Sequence, residues 1–257
     1  MGLLQGKVVV ITGGAGRLGR VFTAAVVGAG GRVVVAEVMN ARTTAAIEAL
    51  RAAHGDAVAG VECDITDAAS LDRLIAGAVE RFGRIDALVN NAYPRNAAYG
   101  RRFEEVAYAD FVENVGMHAG GYFLAAQRFI DHFRRQGHGN IVNMASIYGV
   151  VAPRFEVYAG TDMTMPVEYA VIKSGVLMLT RYIAAHCAGM GIRCNAISPG
   201  GIRDGQPEVF LERYRAHALT KGMLDAHDVT GTLLFLLSDL ASYINGQNIV
   251  VDDGWTL

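Results

Sequence analysis

Cysteine is scarce in this chain: Cys63, Cys187 and Cys194 are the only three in 257 residues. Their odd number and wide spacing suit neither a disulfide framework nor a zinc site, so no metal is expected. MGLLQGKVVVIT carries no secretory pattern, and a reducing cytoplasm is the expected setting. No apolar run approaches the roughly 18 residues of a membrane span, and Gly6 stands where an N-myristoylation signal needs Ser or Thr. Basic charge is not in excess: 23 Lys and Arg face 25 Asp and Glu, a formal net charge of -2. That balance provides neither the field that nucleic acid requires nor a polybasic membrane patch, which leaves small molecules and other subunits as partners. Internal repeats, low-complexity tracts and linkers are also missing, and residues 1–257 are expected to form a single domain.

What the chain has is apolar material, 52% of its residues, in a repeating arrangement. Seven short β-branched runs, at 8–12, 32–37, 57–63, 86–90, 140–146, 192–198 and 247–251, alternate for the most part with helical stretches. Near-continuous apolar strands separated by helices imply an α/β fold, a doubly wound parallel sheet of about seven strands with helices on both faces. Ligands of such sheets bind beyond the carboxyl ends of the strands.

The first run passes directly into Thr12-Gly13-Gly14-Ala15-Gly16-Arg17-Leu18-Gly19 and then into a helical pattern. A phosphate-binding turn needs one glycine for the bend, one for close approach to a pyrophosphate and one for helix packing, roles that Gly13, Gly16 and Gly19 can fill. Glu37 closes the second run, where a carboxylate would accept bonds from a ribose diol and repel a 2′-phosphate. The cofactor expected is therefore NAD rather than NADP, although Arg17 and Arg42 leave NADP open.

The stretch SIYGVVAPRFEVYAGTDMTMPVEYAVIK, 146–173, holds two tyrosines, and only Tyr169 has a lysine, Lys173, one helical turn on. An ammonium about 4 Å from a phenol would contribute on the order of 4 kcal/mol at an effective dielectric of about 20, so Lys173 is expected to draw the Tyr169 phenol down toward working pH. Ser146, at a strand end, could hydrogen-bond the same substrate oxygen. Tyr158 is followed by Asp162, which cannot help a phenol ionise. The loop at about 148–167 is long for a compact domain, and Arg154, Glu156, Tyr158, Thr161 and Asp162 in it suggest a wall or lid for a polyhydroxylated substrate, with an anionic one also open. The scattered methionines Met163, Met165, Met178 and Met190 are expected to pack in the core.

These motifs, with NNA at 90–92 and SPGGI at 198–202, resemble the short-chain dehydrogenase/reductase family over essentially the whole chain. The resemblance implies catalysis by Ser146, Tyr169 and Lys173, with Tyr169 passing the proton while hydride moves at a nicotinamide. It implies cofactor contacts from Gly13, Gly16, Arg17, Leu18, Gly19 and Glu37, from Asp64 and Ile65 at the adenine, from Asn91 and Ala92, from Tyr169 and Lys173, and from Pro199, Gly200 and Ile202 near the nicotinamide. Asn90 would lie in the sheet. Four positions depart from the family pattern. The TGxxGxxG spacing is that of the extended branch, without room for that branch's second domain. Tyr93 replaces a glycine and would narrow the substrate pocket. His118 takes the place of the fourth catalytic residue, an Asn, with Asn114 one turn earlier, and Asp204 replaces a Thr. NNAY, MHAGGYF and MTMPVEYAVIK are most similar to bacterial dehydrogenases associated with flagellin or surface-sugar modification. The function implied is an NAD(P)-dependent exchange of a secondary alcohol and a ketone, on a sugar derivative, by a homodimer or homotetramer. The alternatives are an NADP-dependent reductase of non-sugar ketones and a non-catalytic NAD-binding regulator.

Overall fold

Valine, isoleucine and leucine fill consecutive positions of the apolar runs, so each strand needs cover on both faces. In the computed structural model, which describes residues 2–257, the runs become β1 (Val8–Thr12), β2 (Arg32–Glu37), β3 (Val58–Glu62), β4 (Ala87–Asn90), β5 (Gly139–Met144), β6 (Ile192–Pro199) and β7 (Asn248–Val251). All pair in parallel, in the order β3-β2-β1-β4-β5-β6-β7. Alternation along the strands sends Val10, Val34, Leu88 and Ile141 to one face and Val9, Val33, Val89 and Val142 to the other, all fully buried.

The helices are α1 (Arg17–Gly28), α2 (Ala41–His54), α3 (Ala68–Phe82), α4 (Tyr108–Val115), α5 (Gly121–Gln136), α6 (Val167–His186), α7 (Glu208–Arg215) and α8 (Thr230–Leu237). Leu71 and Leu74 of α3, Phe129 and Phe133 of α5, and Ile172 and Val176 of α6 cover the first face. Phe22 and Val26 of α1, Ile47 of α2, and Leu233 and Leu236 of α8 cover the second. The order reverses between β1 and β4, and the carboxyl ends there open a crevice where ligands of doubly wound sheets bind.

The 148–167 segment is not a plain loop. It carries 3₁₀ turns at Ile147–Gly149 and Phe155–Tyr158, and Val157 is fully buried in a third cluster with Tyr148, Phe210, Tyr214, Met223 and Trp255. A turn of π-helix, Gly116–Gly120, joins α4 to α5 without a break. No helix among the described residues is long and apolar enough to cross a membrane.

Candidate active site

Where β1 ends, Gly13 turns the chain with φ +62°, and a Cβ there would lie 2.7 Å from the Cα of Ala92. A Cβ on Gly19 would lie 2.4 Å from the Gly13 carbonyl oxygen, so α1 can approach the turn this closely only with glycine at that position. The N-cap, Gly16, offers no side chain, which leaves the first N–H groups of α1 for an anion. The Thr12 hydroxyl accepts from the Asn91 and Ala92 N–H groups at 3.1 and 3.2 Å, and Asn91 Nδ2 donates to the carbonyls of Thr12 and Gly13 at 3.0 and 3.1 Å. Those bonds fasten the end of β4 to the glycine turn. Asn90 stays in the sheet, its Nδ2 donating to Asn143 Oδ1 at 2.9 Å.

Glu37 Oε2 accepts from the Ala15 N–H at 3.3 Å, which places the carboxylate on the rim of the same turn. Burial pushes the Glu37 carboxyl up, while the Val38 and Ala15 N–H groups and Arg42 hold it down. Asp64 is exposed and its Oδ1 accepts from the Thr66 N–H and hydroxyl at 2.8 and 2.7 Å; Ile65 is buried. Arg17 bonds the Arg203 carbonyl at 2.9 Å and pairs with Asp204, so the departure at Asp204 joins the glycine turn to the segment after β6. That pairing occupies Arg17, one of the two arginines that left NADP open; Arg42 is not part of it.

Ser146, Tyr169 and Lys173 line one cavity of about 440 Å³ with Leu18, Asn91, Pro199, Gly200 and Ile202. Ser146 lies two residues past the end of β5 and is buried, its Oγ accepting from the Tyr148 N–H at 3.2 Å. Lys173 is 5% exposed. Its Nζ donates to the Met144 carbonyl at 2.7 Å, lies 3.2 Å from His118 Nε2 and stands 5.4 Å from the centre of the Tyr169 ring. Burial pulls the Lys173 ammonium down to about 7. Burial also pushes the Tyr169 phenol up, against the Ser146 hydroxyl, which lowers it. The expected depression of Tyr169 by Lys173 is therefore corrected. A dry environment disfavours both ions, and a lysine that is half neutral near pH 7 has too little charge to reverse the effect.

His118 sits on the π-turn with no exposed surface, between the rings of Tyr93 and Tyr122 at 5.1 and 5.0 Å. Burial first, and then the charge of Lys173, hold its imidazole well below the usual value. It is thus a neutral acceptor toward Lys173, and its Nδ1 has no partner among the described residues. Asn114 is engaged elsewhere: its Oδ1 accepts from the Asn96 N–H at 2.9 Å and its Nδ2 donates to Asn96 Oδ1 at 3.2 Å.

Tyr93 also lines the cavity, its ring 5.7 Å from that of Tyr169 and its hydroxyl donating to Tyr99 at 2.6 Å. Tyr158 lines it too, but Arg154 does not: its guanidinium lies 5.2 Å over Trp255. Thr161 caps its own turn on the Tyr158 carbonyl, Asp162 is exposed, and Glu156 lies 3.7 Å from His217. Of the expected hydrogen-bonding wall only Tyr158 lines the cavity, joined there by Met163, Thr164 and Met165.

The family profile described as enoyl-(acyl carrier protein) reductase matches residues 14–256. The chain belongs to the short-chain dehydrogenase/reductase family. It is 38% identical to the post-translational flagellin modification protein A of Campylobacter coli, over 99% of this chain and 100% of that one. It is 32% identical to a 7alpha-hydroxysteroid dehydrogenase of Bacteroides fragilis, over 100% and 97% of the two chains. Among solved structures, a short-chain dehydrogenase of Leptospira borgpetersenii with bound NAD+ superposes with a TM-score of 0.84 at 28% identity, covering 99% and 94%.

Within this family frame, the sequence reading missed Tyr148, Phe210, Tyr214 and Met223 as cavity residues, and it put Met163 and Met165 in the core. Phe210 and Tyr214 come from α7, four residues apart and both buried, a spacing that marks one helix face without saying that it meets the 148–167 segment.

Proposed function

We propose that this oxidoreductase interconverts a secondary alcohol and a ketone, with NAD as its cofactor and a neutral sugar derivative as its substrate class. The observation that carries the reading is the convergence of Ser146, Tyr169 and Lys173 on one cavity that also reaches the Asn91 and Pro199–Ile202 segments. A nicotinamide dinucleotide held by the glycine turn, Glu37 and Asn91 would supply the hydride acceptor or donor.

The protein's own groups handle the proton. The neutral Tyr169 phenol gives its proton to the substrate oxygen in reduction and takes it back in oxidation, and the Ser146 hydroxyl bonds that oxygen as its charge changes. Lys173, protonated by about half near pH 7, exchanges the proton with the phenol, and His118 Nε2 holds the ammonium in place. Glu37 favours NAD because a carboxylate on the rim of the turn bonds a ribose diol and repels a 2′-phosphate. The name of the Campylobacter relative supports a role in surface modification. Three buried free cysteines support a reducing, cytoplasmic setting. Exposed Phe103, Tyr108 and Phe123 with Met178 and Tyr182 of α6 support a homodimer or homotetramer, which sedimentation would count.

The test is a panel of cyclic secondary alcohols assayed with NAD and with NADP. Turnover lost in Tyr169→Phe supports the reading, and tight NAD binding with no turnover on any alcohol sinks it in favour of a regulatory role.

A further inference from the structure

Among the lining residues of the cavity, Lys173 alone belongs to the lysine, arginine, aspartate and glutamate class, and its ammonium is committed to Met144 and His118. The charged side chains of the neighbouring segments are turned away: Arg154 over Trp255, Glu156 toward His217, Arg213 onto the Ala159 carbonyl. Met163, Met165, Met223 and Phe210 line the cavity instead, together with four phenols beyond the reacting Tyr169. The Tyr93 proton is given to Tyr99, which leaves Tyr148, Tyr158 and Tyr214.

Those phenols have hydrogen-bonding capacity left over. The Tyr214 hydroxyl accepts from the Gly201 N–H at 2.7 Å, and its own proton has no acceptor among the described residues. The hydroxyl sits against the Pro199–Ile202 turn, where a Cβ on Gly200 would be 3.0 Å from its oxygen. The hydroxyls of Tyr148 and Tyr158 lie 3.1 Å apart, so one proton serves the pair and the other is free. For Tyr158 the protein offers only Met165 Sδ at 3.6 Å, a thioether and hence a weak acceptor that a substrate oxygen would displace readily. Burial pushes all three phenols up, which keeps them neutral donors.

We propose that Tyr148, Tyr158 and Tyr214 form a distal subsite for a second, uncharged oxygen of the substrate, while Met163, Met165, Met223 and Phe210 cover its ring. The inference rests on the alcohol–ketone reading and narrows its substrate to a neutral cyclic diol or hydroxy ketone. A carboxylate or phosphate at the distal position would shed its hydration with no cation to pair it, so it is rejected.

Three probes share one ring and differ only at the distal carbon: cyclohexanol, cyclohexane-1,4-diol and 4-hydroxycyclohexanecarboxylate. Their binding to the NADH-loaded enzyme is measured by calorimetry, for the native chain, Tyr158→Phe and Tyr214→Phe. The diol should bind roughly 3- to 10-fold more tightly than cyclohexanol, the worth of one or two neutral hydrogen bonds, and at least about 10-fold more tightly than the carboxylate. Each variant should cut the advantage of the diol over cyclohexanol by about 3-fold or more. A carboxylate that binds as well as the diol overturns the proposal, as does a diol advantage that is absent or untouched by both variants. The comparison of probes on the native enzyme stands even if a variant fails to fold. Turnover of the diol with NAD is recorded separately: binding as expected without oxidation leaves the subsite standing and removes the dehydrogenase reading, whereas oxidation without the binding pattern removes the subsite alone.

Discussion

At Lys173 the ammonium is nearly sealed from solvent, with the Met144 carbonyl and the His118 imidazole as its acceptors. Those bonds favour the charged form, and burial, which brings Lys173 to about 7, opposes it. Removing the imidazole should therefore lower Lys173 further. His118→Leu is expected to move the ionisation in the rate profile from near pH 7 toward lower pH and to reduce the rate at pH 7.5 by about 10-fold or more. His118→Asn, whose amide oxygen can accept from the ammonium, should retain most of the rate. Stopped-flow or steady-state rates from pH 5 to 10 check both, and a His118→Leu enzyme with the native profile would show that the imidazole only fills space. Burial and the charge of Lys173 hold His118 well below its usual value, so no separate imidazole titration is expected near neutral pH. Tyr169→Phe removes the proton carrier and should cost roughly 10²- to 10⁴-fold in turnover while leaving cofactor affinity near native, read by fluorescence titration.

At the scale of elements, the cofactor end was legible in the sequence because its determinants are local. A β-branched run ending in spaced glycines specifies a strand, a tight turn and a helix N-terminus within about a dozen residues, and Glu37 marks the end of the next strand in the same way. All seven strands fall within the predicted runs to within a residue or two, since alternating strands and helices bury their apolar faces only in a parallel sheet. The substrate end was legible only at Tyr93 and Tyr158, because α7, the 148–167 segment and the turn after β6 meet only in three dimensions. The π-turn that brings His118 to Lys173 has no spacing signature either. Two predictions belong to the legible end. Gly19→Ala would drive a methyl group into the Gly13 carbonyl and Gly14 Cα, pushing α1 off the turn, with about 2–3 kcal/mol lost and cofactor affinity weakened; urea melts and titration read the two effects. Glu37→Ala should weaken NAD and narrow its advantage over NADP. Because burial raises the Glu37 carboxyl, the preference proposed for it should be present at neutral pH and fade as pH falls through that raised value. A ratio of NAD to NADP affinity that is the same in native and Glu37→Ala enzyme, at every pH, would put Glu37 outside the ribose site.

For the whole molecule, the sheet supplies stability and the active site subtracts from it. Side chains buried on both faces of β1, β2, β4 and β5 make two cores that α1, α2 and α8, and α3, α5 and α6, close from either side. Lys173 is set into this structure at a cost. Its ammonium titrates near 10.4 in an unfolded chain and near 7 here, so between those values the unfolded chain binds the proton and the native one does not. Stability contributed by this group therefore rises with pH from about 7 to about 10.4, and below about 7 the penalty is constant and largest, on the order of a few kcal/mol. Lys173→Met replaces the buried cation with an apolar chain of similar length. It should abolish turnover yet raise the melting temperature by several degrees at pH 6, with the gain shrinking steadily toward pH 10. Calorimetric melts of both proteins across that range measure it. A variant that melts lower than native at pH 6 would mean that the bonds to Met144 and His118 outweigh the desolvation of the ammonium, and that Lys173 supports the fold as well as the chemistry.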